Sequence, residues 1–432
     1  MISESFTLSP KFLGEYDVAV CGGGIAGTFA AISAARQGTK VVLIEKAGSL
    51  GGTLTEGFMP IILDSQNKGG LVRELFAFLE EHDMCCSRHG SPTDENGKRI
   101  PGIMVDTEGC KYFFEKECKA SGVKLLLHSQ VAAINLSSGN IDSLLITTDC
   151  GSYSLSAKIF IDATGNGNIA DMAGCGWDIG DPAEKRPSPA SMGLCVVGMP
   201  EEYNGAENSE EKTAYNNMLN ENGIRISADQ FSVRKLPSLK TWTVGMNFEY
   251  DVFPDDIERL TDAITHGREE IFDVIEKHRK INGYGELYTA FTNSHIGIRE
   301  GRRIYGEYRI TDDDILEGRR FDDGICLVTF GVDVHKLKND DTTDCKRGYR
   351  AKPYNIPYRS LVPLGVDNLL LAGRCISGDF YPHASYRVMG NMAATGEAAG
   401  FAASKAIKND LAPKDIDGKE IKAFMLEKGY EI

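Results

Sequence analysis

The first compact apolar run is 16–21, Tyr-Asp-Val-Ala-Val-Cys, short and ended by three glycines, which predicts a buried parallel strand. Alanine-rich 25–37 follows with helical spacing, and 40–44, Lys-Val-Val-Leu-Ile, gives a second strand. In 70–82, Leu71, Leu75, Phe78 and Leu79 fall on one stripe, which predicts an amphipathic helix. The polar segment 87–102 has the Gly, Pro, Asn and Asp content of an exposed loop, and 106–119 is predicted helical. From 123 onward, short apolar runs broken at 137–140 and 149–152 predict a small antiparallel meander. It ends in the apolar strand 158–163, a glycine turn and a helix at 168–173.

Beyond Trp177 the pattern changes to charged loops and isolated strands. A surface helix is expected in 201–222, strands near 241–249 and a helix at 255–279, while the acidic run 312–323 reads as a solvated face. Apolar spacing returns at 368–374, a strand, followed by a connecting loop, 375–387, and a helix at 389–408. That helix repeats small residues, Gly390, Ala393, Ala394, Gly396, Ala398, Ala399 and Gly400, which permits close packing on a sheet or ligand. The tail, 409–432, reads as a polar linker and a short surface helix. These shifts divide the chain into a nucleotide-binding part, 1–176, a substrate or cap domain, 177–344, and a returning nucleotide-binding part, 345–432.

A chain of 432 residues exceeds one simple core, in keeping with two packed domains or one domain with an insertion. Its net charge of −15 argues against nucleic acid or an anionic membrane surface as the main partner. The N-terminal residues lack a basic stretch followed by an apolar one, and no apolar run approaches about 18 residues, so a soluble cytoplasmic protein is expected. Eleven cysteines include no C-x-x-C pair. They read as small core residues, with no zinc set and no redox dithiol.

The chemistry concentrates at the first strand–helix junction. Gly22, Gly24 and Gly27 form G-x-G-x-x-G: a tight turn, an approach for pyrophosphate, and a close helix–strand contact. The helix N-terminus adds partial positive charge. Glu45 ends the second strand, 18 residues after Gly27, where its carboxylate can accept from both ribose hydroxyls. Gly51, Gly52 and Thr53 supply a second glycine-rich approach. Gly165, Gly167 and Ala170 also satisfy G-x-G-x-x-A, so a second, NAD(P)-binding unit is an alternative. The segment after it turns into loop without a full helix and second strand, which favours a return to the first sheet, with Ala163, Thr164 and Gly165 against the cofactor.

Three segments together, GGGIAG, IDATG and LLLAGR with its helix, resemble the glutathione-reductase-type FAD fold. Residues 295–311 and 373–403 resemble more narrowly a bacterial FAD-dependent oxidoreductase family, with fumarate-reductase-type flavoproteins and geranylgeranyl reductases as more distant relatives. The resemblance implies an α/β fold: a glutathione-reductase-type, Rossmann-like FAD-binding domain with an antiparallel β-meander, and a second α+β substrate or cap domain. It also implies non-covalent FAD, extended, with adenosine near Glu45 and the isoalloxazine near the last long helix. The expected cofactor contacts are Gly22, Gly24, Ala26, Gly27, Glu45, Lys46, Gly52, Thr53, Val131, Ala163, Thr164, Gly165, Gly373, Arg374 and Met392. The chain lacks the W-x-W-x-I-P of flavin-dependent halogenases, having only Trp177 and Trp242, and His89, in a polar loop, is a poor candidate for covalent flavin attachment.

A flavin performs its own hydride chemistry, so the protein need only orient substrate, move a proton and stabilise charge. His383 is the expected acid or base, with a loop-stabilising hydrogen bond as the alternative. Arg387 is expected to clamp an anion or steady the reduced flavin, or else to pair locally. If 295–303 is helical, Arg299 and Arg302 or Arg303 share a face that suits a carboxylate or hydroxyl-rich ligand, the alternative being ion pairs with Glu300 or Glu307. The expected activity is hydride transfer between a small polar substrate, such as a sugar, polyol or carboxylic acid, and FAD, with an unidentified electron acceptor. The alternatives are a geranylgeranyl-reductase-like ene-reductase and a flavin-holding redox sensor without turnover.

Overall fold

The computed structural model describes residues 8–87, 103–201, 203, 205–237, 240–338 and 351–432. β1 (Lys11–Cys21) enters the turn at Gly22, α1 (Ile25–Arg36) leaves it, and β2 (Val41–Ile44) pairs in parallel with β1. α2 (Gly70–Glu81) buries the predicted stripe. A short hairpin, β3 (Cys85–Ser87) with β4 (Ile103–Val105), flanks the polar loop, whose residues 88–102, His89 included, lie outside the described set. α3 (Thr107–Ala120) starts at Asp106, whose side chain accepts from the Gly109 amide.

β5 (Lys124–Leu126) corrects the expected meander, because it pairs in parallel with β2 at the edge of the nucleotide sheet. Three residues of apolar pattern do not distinguish these placements. The meander proper is β6 (Ser129–Ser137), β7 (Asn140–Thr148) and β8 (Gly151–Asp162). β8 runs antiparallel to β7 over its first half and parallel to β1 along its length, so one strand joins meander and nucleotide sheet. α4 (Asn168–Met172) follows and lasts five residues.

β9 (Trp177–Asp178) leads to a four-stranded antiparallel sheet formed by β10 (Gly193–Val197), β11 (Ser232–Lys235), β12 (Thr241–Gly245) and β13 (Tyr288–Thr292), in the order β11-β12-β10-β13. α5 (Ser209–Glu221) and α6 (Ile257–His278) close over it, giving a separate apolar core drawn from residues between Ala190 and Ile296. The segment 295–302 is irregular, not helical, which corrects the expected shared face of Arg299 and Arg303. From Ile304 the buried apolar side chains rejoin the first core, except for Val334, Leu337, Phe380 and Ala384, which form a small cluster of their own.

β14 (Arg303–Ile304) pairs with β9. α7 (Asp312–Glu317) lies within the expected solvated face, yet Asp314 is fully buried, pairing with Arg319 at 2.7 Å and accepting from the Tyr308 hydroxyl. Asp323 pairs with Arg359 at 2.9 Å. β15 (Gly324–Val328) and β16 (Tyr354–Pro357) form a hairpin, and β17 (Leu369–Leu371) adds in parallel to β8. The expected loop after it contains a helix, α8 (Phe380–Tyr386), whose Pro382 sits in the first turn where a missing N–H costs little.

α9 (Met389–Asn409) and α1 pack closely through small residues: a Cβ at Gly396 or Gly400 would strike the carbonyl of Ala26 or Ala30. Glu397 is the buried acid of this otherwise small-residue helix. It accepts from the Leu71 amide at 3.0 Å and from the Tyr430 hydroxyl at 2.6 Å, anchoring the start of α2 and the C-terminus to α9. α10 (Gly418–Glu427) buries Ile421, Phe424 and Met425, so the tail is part of the fold as well as its surface. Among the described residues no helix is long and apolar enough to cross a membrane, and no acid, His and Cys cluster suits a metal ion.

Candidate functional site

The first glycine turn is an open cradle. Gly22 takes φ +101, where a Cβ would lie 2.5 Å from the Ala163 carbonyl, and a Cβ on Gly27 would strike the Gly22 carbonyl. Gly24 differs: a Cβ there meets nothing within 4 Å, so the backbone faces free space. Gly24 also caps α1 without a side-chain bond, and the first turn of α1 carries no acid, so its amides are available to an anion. Ala26, in that turn, faces Gly373, whose added Cβ would lie 3.3 Å from it.

The groups around this turn suit a pyrophosphate and ribose. Glu45 is nearly buried and accepts from the Gly23 amide at 2.5 Å and the Ala47 amide at 2.7 Å, which leaves lone pairs for further donors. Gly52 packs against Gly24, and Thr53 follows in the same turn. Lys46 and Arg374 form no ion pair among the described residues. Burial lowers Lys46, while Glu45 opposes the shift, and burial brings Arg374 down to about 10. Open helix amides, and cations without ion pairs among the described residues, are each features that suit a diphosphate. Val131 is buried near the start of β6, beside a register shift, and Met392 is buried in the first turn of α9.

The second glycine turn has the same spelling and a different outcome. Asp162, fully buried at the end of β8, accepts from the Ile169 amide at 2.8 Å and the Ala170 amide at 3.0 Å, the donors that would otherwise meet a phosphate. Its other oxygen accepts from the Thr164 amide and hydroxyl at 3.0 and 2.7 Å, and the hydroxyl in turn receives the Asn168 amide. The Arg374 guanidinium lies against Gly165 and donates to Asn166 Oδ1 at 2.8 Å. A carboxylate of the chain itself therefore fills this turn, leaving no room for a second dinucleotide there. The acid immediately before the turn was a signal in the sequence that spacing rules alone did not weigh.

The predicted catalytic residues separate in space. Arg387 stands just before Val388, the residue capping α9, and donates to the Asp333 carbonyl at 2.8 Å, Ser188 Oγ at 3.3 Å and the Arg299 carbonyl at 3.4 Å. Arg299 donates to Pro189 and Ser191 from the cap side and lies 5.0 Å over the Phe248 ring. Burial first, then the neighbouring Arg387 charge, brings Arg299 down to about 10; burial also lowers Arg387. Asp333 lies 3.9 Å from Arg387. Burial opposes its charge, but His335, Arg387 and Arg299 together hold it well below the usual carboxylate range.

Arg303 is elsewhere. Buried, it pairs with Glu300 and donates to the Gly180 carbonyl at 3.1 Å, while Glu300 also accepts from the Gly180 and Ser188 amides. That is the ion-pair alternative, and it engages both terminal nitrogens of the guanidinium, while Nε finds no partner among the described residues. His383 has no exposed surface, and neither ring nitrogen finds a hydrogen-bond partner. Burial, with Arg387, Arg303 and Arg374 nearby, holds it well below its ordinary value, so the ring is neutral and enclosed. Sequence reasoning missed Asp333 and His335, which lie in an irregular segment without periodicity; only tertiary contacts bring them to Arg299 and Arg387.

Residues 17–425 match the family described as FAD dependent oxidoreductase. Over 171 residues, 35% of this chain, the sequence is 29% identical to a mitochondrial dihydrolipoyl dehydrogenase of Schizosaccharomyces pombe, and the match spans 29% of that protein's length. Among solved structures, a geranylgeranyl bacteriochlorophyll reductase-like protein from Thermoplasma acidophilum superposes with a TM-score of 0.50 at 13% identity, covering 97% of this chain and 84% of that one. A p-nitrophenol 4-monooxygenase from Pseudomonas putida DLL-E4 gives 0.49 at 12% identity, with 96% and 85% covered. The match over nearly the whole chain agrees with the open first turn and with the two later returns to its sheet, at β8 and β17. The chain belongs to the FAD dependent oxidoreductase family, and its cofactor is FAD.

Proposed function

We propose that this protein moves a hydride between non-covalent FAD and a small polar molecule bound where the 177–344 region meets the start of α9. FAD, when bound, supplies the hydride-accepting and hydride-donating ring. In this reading the residues around Gly22 to Gly27, Glu45 to Thr53, Val131, Ala163 to Gly165, Gly373, Arg374 and Met392 hold the cofactor. Arg387 and Arg299 hold the substrate.

The observation that carries this reading is the charge balance at the junction. Among the described residues the one ion pair of Arg387 is a long one, 3.9 Å from Asp333, Arg299 has none, and each guanidinium is anchored by neutral oxygens, with Asp229 near Arg299 and Glu300 near Arg387 as the further attractive charges. Two largely buried guanidinium groups with one long ion pair between them favour a further anionic or oxygen-rich ligand. The same polar surroundings disfavour a prenyl chain, so the ene-reductase alternative is the weaker one. An anaerobic screen of FAD-loaded protein against sugars, polyols and hydroxy acids tests the proposal. Bleaching of the flavin band by one class is expected, with at least about a tenfold loss in apparent affinity in Arg387→Met. A redox sensor without turnover would leave the band unbleached across the screen, and that result would exclude the proposal.

A further inference from the structure

We infer that His335, oriented by Asp333, is the catalytic acid and base of this site, in place of the enclosed His383. The inference rests on the substrate position proposed at Arg299 and Arg387. His335 Nε2 stands 3.3 Å from Asp333 Oδ2, and no other hydrogen bond engages the ring among the described residues. The side chain keeps 20% of its surface open, and the aspartate side chain 49%, whereas His383 is completely enclosed. The ring packs edge-on against Phe248 at 5.1 Å, the same ring over which Arg299 lies, so the histidine and the arginine flank one aromatic wall.

The charged groups facing the imidazole are Asp333 on its own segment, Arg299 from the cap side and Arg387 from the segment before α9. With Asp333 accepting from Nε2–H, Nδ1 carries the lone pair, and the aspartate fixes this tautomer. Burial and Arg299 lower the histidine's proton affinity and Asp333 opposes them, the net being a neutral ring suited to accepting a proton. In the oxidising direction bound FAD would serve as the two-electron acceptor for a hydride, one proton with two electrons, from a substrate carbon bearing a hydroxyl. The O–H bond breaks, its electron pair forms the new carbonyl, and the proton passes to Nδ1. The reverse direction returns that proton to the oxygen. His335 touches the reacting oxygen, and Asp333 is a positioning residue acting through it.

The test uses FAD-loaded protein in two arms. In the first, diethyl pyrocarbonate labelling is mapped by peptide mass across a pH series. His335 is expected to label while His383 does not, and Asp333→Asn should move the labelling midpoint of His335 to lower pH, because the lost carboxylate favoured the imidazolium. An unlabelled His335, or a midpoint indifferent to Asp333→Asn, overturns the assignment. In the second, glycolate, lactate, malate and tartrate are mixed anaerobically with wild type and His335→Gln. The expectation is bleaching slowed about a hundredfold in the variant, with flavin content retained and the limb of the pH profile lost. Bleaching at the wild-type rate overturns the histidine assignment alone. If the first arm succeeds and no sugar, polyol or hydroxy acid bleaches wild type, the proposed substrate site fails, and the catalytic role falls with it.

Discussion

Two turns in this molecule share the spelling G-x-G-x-x-G/A and do opposite things. At Gly22 to Gly27 the helix start has no side-chain cap, its first turn carries no acid, and Gly24 faces free space. At Gly165 to Ala170 the buried carboxylate of Asp162 occupies the helix amides and Arg374 covers the glycine. The spelling specifies a backbone path, while occupancy depends on whether the chain supplies its own anion. A helix N-terminus therefore identifies a ligand site only once its amides are shown to be unclaimed.

The comparison can be broken at several points. The largest effect is expected from Asp162→Ala, which leaves the amides of Thr164, Ile169 and Ala170 without their acceptor inside the core. Chemical denaturation should show a loss on the order of 4 kcal/mol. A loss below about 1 kcal/mol would mean the second turn does not depend on its internal anion.

The contrast in how buried charge is accommodated extends to the cap core, where His278 is enclosed against the Tyr215 hydroxyl at 2.9 Å and burial pushes it down to about 4. Its folded value lies below its ordinary 6.5, so the unfolded chain binds more protons and stability is lost as pH falls from about 6.5 toward 4. Denaturation followed by Trp242 fluorescence in a Trp177→Phe background should lose on the order of 2 kcal/mol between pH 7 and 5. His278→Gln should flatten that dependence. A smaller effect is expected for Arg374→Met, the cation shared by the two turns: FAD reconstitution should weaken about tenfold, roughly 1.4 kcal/mol. An unchanged FAD affinity would remove Arg374 from the cofactor site.

Much of the nucleotide half was legible because its signals are local. Gly22, Gly24, Gly27 and Glu45 lie within one strand–helix–strand unit, and the alternation of β6 to β8 announces itself. β5 was misplaced because Lys124-Leu125-Leu126 is too short to carry a register, and α8 was read as loop because Pro382 and the aromatic residues around it mask the helical period. At the junction the sequence named Arg299 and Arg387, which the structure brings together, along with Arg303 and His383, which it places apart from them. Arg303 turned to Glu300 and His383 to the interior, while Asp333 and His335 arrived from a segment whose position only the assembled cap and α9 determine.

The open first turn is tested most directly by Gly24→Asp, which places in it the kind of carboxylate that Asp162 gives the second. Gly24 has φ −62 and ψ 175, a backbone any residue adopts, and its Cβ direction is empty, so the apoprotein should fold as wild type does. Titration of the apoprotein with FAD should then show affinity weakened by more than about a hundredfold, near 2.7 kcal/mol, with unchanged unfolding of the apo form. Wild-type FAD affinity in this variant would contradict the assignment of the first turn as the cofactor's pyrophosphate site.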